Sequence, residues 1–218
     1  MKWSYGDSWE RFPIEQGEVW GVPATGSMVA VHNIFEPLPE FMLTADLLFI
    51  DPPWNLSNVN SFYTKAGRDD HLDSFSAFEE ALFTRIDDIA PRVCYLEVGF
   101  QAVDRWQAAL SSRYPIVQRW QVTYYRKHRC YILRGGHDEP QSHDFTGMDE
   151  AKVIHLVGQV EKYTVMGDMC MGRGLVGLAA HAAGRRFVGT ELNKRRLAVL
   201  LSKLAASGAC VQILSPHS

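Results

Sequence analysis

No stretch of this sequence approaches the ~20 consecutive apolar residues that span a bilayer. The longest candidate, residues 178–187, is interrupted by His181, Arg185 and Arg186. An apolar leader core is also missing from the start, which reads Met-Lys-Trp-Ser-Tyr-Gly-Asp; the expectation is a soluble, cytoplasmic protein. There is no CxxC pair. Cys94, Cys130, Cys170 and Cys210 lie far apart, which argues against a zinc site and against a disulfide framework. No internal repeat occurs. Neither sign of charge dominates: 22 Lys and Arg face 25 Asp and Glu, a net charge of −3. That balance gives no support to indiscriminate nucleic-acid binding, although it allows a local basic patch. What is present is a 218-residue chain that is 46% hydrophobic and 11% aromatic. Such a chain buries a core without metal or disulfides and fits one domain.

Along the chain, residues 1–27 read as an irregular arm that packs through Trp3, Trp9 and Trp20, and residues 28–218 as a single domain. Short apolar runs at 28–32, 46–50, 93–98, 163–168 and 187–191 read as buried strands,. Helical spacing marks 74–89, where Ser74 or Ser76 is a cap and Pro91 follows, and also 102–110, 150–160 and 194–206,. Residues 116–125 and 130–133 suggest a hairpin, while 55–73 and 135–147 read as polar loops,. Alternating strands and helices predict an α/β sheet with helices on both faces.

Two turns carry chemistry. The first follows the strand at 163–168: Gly172, Gly174 and Gly177 form GxGxxG ahead of a helix, and Glu191 ends the next strand. Glycine permits close backbone approach, a helix N-terminus offers free N–H groups, and the carboxylate suits ribose hydroxyls. A nucleoside-type cofactor is the reading; a tight strand-to-helix turn packed through its glycines is the alternative. NAD(P) uses the same fingerprint. Against it, Asp168 places a carboxylate where a cofactor bearing a sulfonium and an ammonium fits better than a pyrophosphate.

The second turn is Asp51-Pro52-Pro53-Trp54, directly after an apolar strand. Two prolines remove two N–H donors. A carboxylate and a carbonyl then remain as acceptors, suited to the two protons of an exocyclic aromatic amine. Accepting both favours a pyramidal nitrogen whose lone pair can meet an electrophilic methyl group. Trp54 supplies a face for stacking a base, worth about 1–3 kcal/mol. A strand-ending proline turn with a core tryptophan is the plain alternative.

Together these turns resemble the motifs of S-adenosylmethionine-dependent amino-methyltransferases acting on adenine N6 or cytosine N4 of nucleic acid. The catalytic motif precedes the cofactor motif, as in the circularly permuted, beta-type group of DNA methyltransferases. The resemblance implies a Rossmann-like methyltransferase sheet, with a catalytic half at about 28–135 and a cofactor half at about 144–218. It implies S-adenosyl-L-methionine as cofactor and a flipped-out base in DNA, or alternatively RNA, as substrate. The leading aspartate leans toward adenine N6.

Position by position, the resemblance assigns catalysis to Asp51, Pro52, Pro53 and Trp54. It assigns cofactor binding to Asp168, Met169, Cys170, Gly172, Gly174 and Glu191, with Asn33 near the adenine and Phe145 in the element over the methionine tail. Asn55 would line the base pocket. For substrate phosphates the candidates are Lys65 and Arg68, and Arg126, Lys127 and Arg129 within a basic run from Arg119 to Arg134 interleaved with Tyr124, Tyr125 and Tyr131,. The chemistry needs no metal, and His137-Asp138 and His143-Asp144 read as parts of a flexible loop. The segment between the hairpin and the cofactor motif is too short for a separate recognition domain, so specificity is expected to be short and loop-encoded, weak, or supplied by a second copy or a partner subunit. A silent methyltransferase-like subunit and a small-molecule or protein amide methyltransferase are the readings of other classes.

Overall fold

A computed structural model describes residues 5–125 and 127–215. Arg126, one of the basic-run candidates, and Trp3 of the expected arm lie outside the described residues.

The chain order is α1 (Ser8–Arg11), β1 (Val19–Val22), β2 (Ser27–Val31), β3 (Leu47–Ile50), α2 (Leu56–Lys65), α3 (Phe75–Ile89), β4 (Val93–Gly99) and α4 (Val103–Ser111). There follow β5 (Ile116–Tyr124), β6 (His128–Gly136), α5 (Glu150–Val160), β7 (Val165–Asp168), α6 (Leu175–Ala182), β8 (Arg186–Glu191), α7 (Lys194–Ala206) and β9 (Gln212–Ser215). The strands form one sheet in the order β5-β6-β4-β3-β7-β8-β2-β1-β9. Its centre, from β4 to β2, is parallel. A long antiparallel hairpin of β5 and β6 closes one edge. β1 and β9 close the other.

Central strands buried on both faces need apolar side chains at every position, and Leu47–Ile50 is buried throughout. Alternation sends Phe49, Tyr95 and Met166 to the face covered by α5, α6 and α7,. It sends Leu48, Ile50, Leu96 and Val188 to the face covered by α2, α3 and α4. The expected two-faced α/β sheet is therefore present.

Two segments differ from the sequence reading. Residues 55–73 hold helix α2 rather than a continuous loop: Asn55 caps it by accepting from the Asn58 N–H at 2.9 Å, and Val59 and Tyr63, one turn apart, bury its inner face,. Residues 1–27 are not wholly irregular, because β1 pairs with both β2 and β9 inside the sheet. The hairpin also extends to Gly136, and a Cβ on Gly135 would meet the Tyr114 ring at 2.4 Å.

Among the described residues, no helix is long and apolar enough to cross a membrane.

Candidate active site

Connections run from β3 to β4 in one direction and from β7 to β8 in the other, so strand order reverses at the β3–β7 seam. Ligands in open α/β sheets bind at the carboxyl ends of the strands flanking such a point. Asp51 and Asp168 stand at those ends.

The seam is short, with Leu47 opposite Met166 and Leu48 opposite Gly167. Gly167 is required there: a Cβ would approach the Leu48 side chain to 2.6 Å and the Ala45 Cβ to 2.7 Å. At the amino end, the Asp46 carboxylate accepts from the N–H groups of Thr164, at 2.8 Å, and Val165, at 2.8 Å.

The turn after β7 is folded around its glycines. Gly172 and Gly174 have φ of 53° and 77°, the left-handed region that suits glycine,. A Cβ on Gly174 would strike Leu200 at 2.5 Å. The Cys170 N–H donates to Asp168 Oδ1 at 2.9 Å. Glu191 Oε2 accepts from the Gly172 N–H at 2.6 Å, and its Oε1 accepts from the Asn193 N–H at 2.9 Å. The carboxylate expected to meet a ribose thus also holds the glycine turn, with further lone pairs left to accept. Met169 is 4% exposed and packs in the core, and Met171 lies over Gly189, where a Cβ would come within 2.1 Å of its sulfur.

The acids cluster at the strand ends, where Asp51 and Glu191 both act on Asp168. Burial pushes Asp51 up to about 7; the Arg196 guanidinium opposes this, Glu150 adds to it, and a side-chain hydrogen bond with Trp54 lowers it. Burial holds Asp168 well above the usual carboxylate range, and Asp51 and Glu191 reinforce that. Arg196 is the guanidinium that reaches in, 3.8 Å from Glu191 Oε2 and 4.7 Å above the Phe62 ring. Nothing in the sequence pattern singles out Arg196 for this role, because Lys194, Arg195 and Arg196 open a helix as a run of like charges.

Trp54 stands at the rim. Its ring meets Tyr124 edge-on, centroids 5.2 Å apart, and lies against Gly99, where a Cβ would come within 3.0 Å. Pro52 is buried and Pro53 half-buried. Tyr124 carries the hairpin tip to the rim, where Lys127 and Arg129 are exposed. Glu150 Oε2 accepts from the Tyr125 N–H at 3.0 Å and ties the tip to α5.

Several expected site residues are placed elsewhere. Phe145 is wholly buried, 4.9 Å from the Trp120 ring and 6.5 Å from Tyr95, so it plugs the core instead of facing a ligand. Arg134 is 2% exposed and ion-paired with Glu161 at 2.8 Å, so this member of the basic run is withdrawn from any surface. Asn55 is exposed and spent on its helix cap. Arg68 pairs with Asp70 at 2.7 Å and, with Val31, Asn33, Ala66 and Leu192, lines a cavity of about 200 Å³ beyond β2 and β8. It therefore sits on the Gly172–Glu191 side of the site, away from Trp54. Asn33 Oδ1 there accepts from the Tyr63 hydroxyl at 2.9 Å. Lys65 rests over the Phe62 ring, and its carbonyl accepts from Asn193.

No family model matches the chain, and no curated protein matches it in sequence. Solved structures do match. M1.HpyAVI, in its complex with SAM, superposes with a TM-score of 0.57 at 13% identity, over 81% of this chain and 98% of that one. TTHA0409 of Thermus thermophilus, described as a putative DNA modification methylase and complexed with S-adenosyl-L-methionine, gives 0.58 at 14% identity, over 82% and 93%. The chain thus has the α/β, Rossmann-like fold of S-adenosylmethionine-dependent methyltransferases, with the Asp51 turn preceding the glycine turn in sequence.

Proposed function

We propose that this protein is a DNA methyltransferase that transfers a methyl group from S-adenosyl-L-methionine to N6 of a flipped-out adenine. The observation that carries the reading is the seam: Asp51 of the Asp-Pro-Pro-Trp turn and Asp168 of the glycine turn end adjoining strands, with Trp54 at the rim.

The residues present suit the cofactor. The cluster of Asp51, Asp168 and Glu191 favours a ligand carrying positive charge,. Gly172 and Gly174 bring backbone close to it, and the cavity at Asn33 and Leu192 lies beyond β8, on the side where an adenine follows a ribose held by Glu191. When bound, the cofactor supplies a methyl group made electrophilic by its sulfonium.

The Asp51 carboxylate and the Pro52 carbonyl accept the two amine protons, and the prolines leave no N–H nearby to compete. This turns the nitrogen lone pair toward the methyl group. After transfer, Asp51 takes the proton that the nitrogen sheds. Trp54 stacks on the base and offsets part of the few kcal/mol that flipping costs. Lys127 and Arg129 at the hairpin tip meet phosphates, and a second copy or a partner subunit adds sequence recognition.

The test offers labelled S-adenosyl-L-methionine with duplex DNA, single-stranded DNA and RNA, followed by nucleoside digestion and mass spectrometry. N6-methyladenine in DNA is the expected product. N4-methylcytosine would change the base, product in RNA alone would change the polymer, and cofactor binding without transfer to any polymer would point to a silent subunit.

A further inference from the structure

Two acids stand side by side at the carboxyl ends of β3 and β4. Ile50 pairs with Leu96 in the parallel register, so Asp51 and Glu97 follow on neighbouring strands. One step back, Phe49 and Tyr95 stack with centroids 5.5 Å apart on the face covered by α5. Alternation by two places Asp51 and Glu97 next in that column. Glu97 is 1% exposed, and no nitrogen or oxygen donor among the described residues reaches its carboxylate; the weak donor beside it is the Cys130 thiol. The groups that face it are Asp51, Glu150 and Asp149 at the start of α5, and the Cys130 thiol of β6. Asp51 in turn senses Arg196 of α7, and it acts on Tyr124 of β5 and Asp168 of β7.

An ionised carboxylate with no donor stronger than a thiol in such a place is strongly disfavoured. Adjoining acids do not both ionise readily, so one retains a proton. Glu97 exposes less surface than the half-buried Asp51 and lacks a guanidinium beside it of the kind Arg196 gives Asp51. Burial and the neighbouring acids hold it well above the usual carboxylate range.

We propose that Glu97 is a positioning residue of the methyl-transfer site: it stays protonated and offers its O–H to Asp51, fixing the orientation in which Asp51 meets the target amine. The role in transfer rests on the function proposed above, whereas the protonated pair does not. The neutral acid supplies a hydrogen bond that favours the ionised form of Asp51 against its burial, without adding negative charge beside it. No bond other than the hydrogen bond is made or broken at Glu97.

The first readout needs no cofactor. Infrared difference spectra of the whole protein at pH 7 are expected to show a protonated-carboxyl band that Glu97→Gln removes and Asp51→Asn shifts. The second is the pH profile of methyl transfer. Glu97→Met is expected to move its acidic limb upward by about one pH unit, the scale of coupling in such pairs, with KM for DNA unchanged. Glu97→Gln, which keeps a donor, is expected to restore the limb. Thermal melts establish that both variants fold, and the Gln variant carries the test if the Met variant does not. Absence of the band from the wild-type protein overturns the proposal, as does an acidic limb unmoved in Glu97→Met. A Glu97 band in a protein that methylates no polymer supports the protonated pair and overturns the methyl-transfer reading instead.

Discussion

Gly99 lies flat beneath Trp54, so close that a Cβ added to it would come within 3.0 Å of the indole. The glycine ends β4 and leaves the indole room to settle at the rim beside Tyr124. Gly99→Val is expected to tilt Trp54 away while the strand, which tolerates valine, stays paired with β6. DNA affinity should fall roughly tenfold, within the ~1–3 kcal/mol of one stacking contact, with cofactor affinity unchanged. Fluorescence anisotropy with labelled DNA and a separate cofactor titration check both halves of that statement.

Asp51→Ala is expected to abolish methyl transfer and leave cofactor binding within about tenfold. Loss of folding in its place would show the turn to be structural. In the wild-type protein the active form is the ionised carboxylate, and burial pushes Asp51 up to about 7. Transfer should therefore rise with pH through about 7 and level off above it. A rate independent of pH from 5 to 9 would remove Asp51 as the acceptor.

Glu191 holds the Gly172 and Asn193 N–H groups. Glu191→Ala is expected to weaken S-adenosyl-L-methionine by about 1.5–3 kcal/mol, the range for a hydrogen bond to a charged group, measured by calorimetry. Because the same carboxylate ties down the glycine turn, the melting temperature should fall as well. Unchanged cofactor affinity would rule out the ribose contact.

Met171 and Gly189 form a matched pair. A Cβ at Gly189 would lie 2.1 Å from the Met171 sulfur, so Gly189→Ala should destabilise by about 1–3 kcal/mol through overpacking. Met171→Ala alone leaves a cavity. The double variant is expected to be more stable than the sum of the two single losses allows, and a double-mutant cycle in denaturant melts measures that coupling.

Stability should also report Glu97. Its folded-state value lies well above the ordinary 4.5. Between those values the folded protein holds a proton that the unfolded chain has lost, so stability falls as pH rises from 4.5 until Glu97 ionises. Glu97→Gln removes this contribution. The wild-type protein should lose stability more steeply than the variant between pH 5 and 8 in parallel urea melts.

The sequence carried the parts of this fold that obey local rules. Helix α3 was legible because Phe78, Leu82 and Ile86 repeat along one face and Ser74 caps it, accepting from Ala77. Helix α2 was hidden because its buried residues, Val59 and Tyr63, are set among Asn, Ser and Thr, with Leu56 and Phe62 half-buried. β1 is a strand by virtue of its neighbours β2 and β9, a tertiary fact invisible in Val-Trp-Gly-Val. The two chemical turns were legible because proline and glycine state their backbone demands in the sequence. Burial of charge was not: Arg134 sits in a basic run yet turns inward to Glu161, and Glu97 gives no sign that its end of β4 is sealed. Phe145 misled in the opposite direction, as an apolar residue in a polar loop that serves as a core plug.

The Asp46 clamp works like the spine of a book. It fastens β3 to Thr164 and Val165 at the amino end of the seam, two paired positions follow, and the strands then run on unpaired with each other to Ile50 and Asp168. The opposite margin, past the last position paired across the seam, carries Asp51 and Asp168. Cutting the binding with Asp46→Ala would loosen the leaves at the end remote from the chemistry, and the spacing of the two acids would lose its reference point.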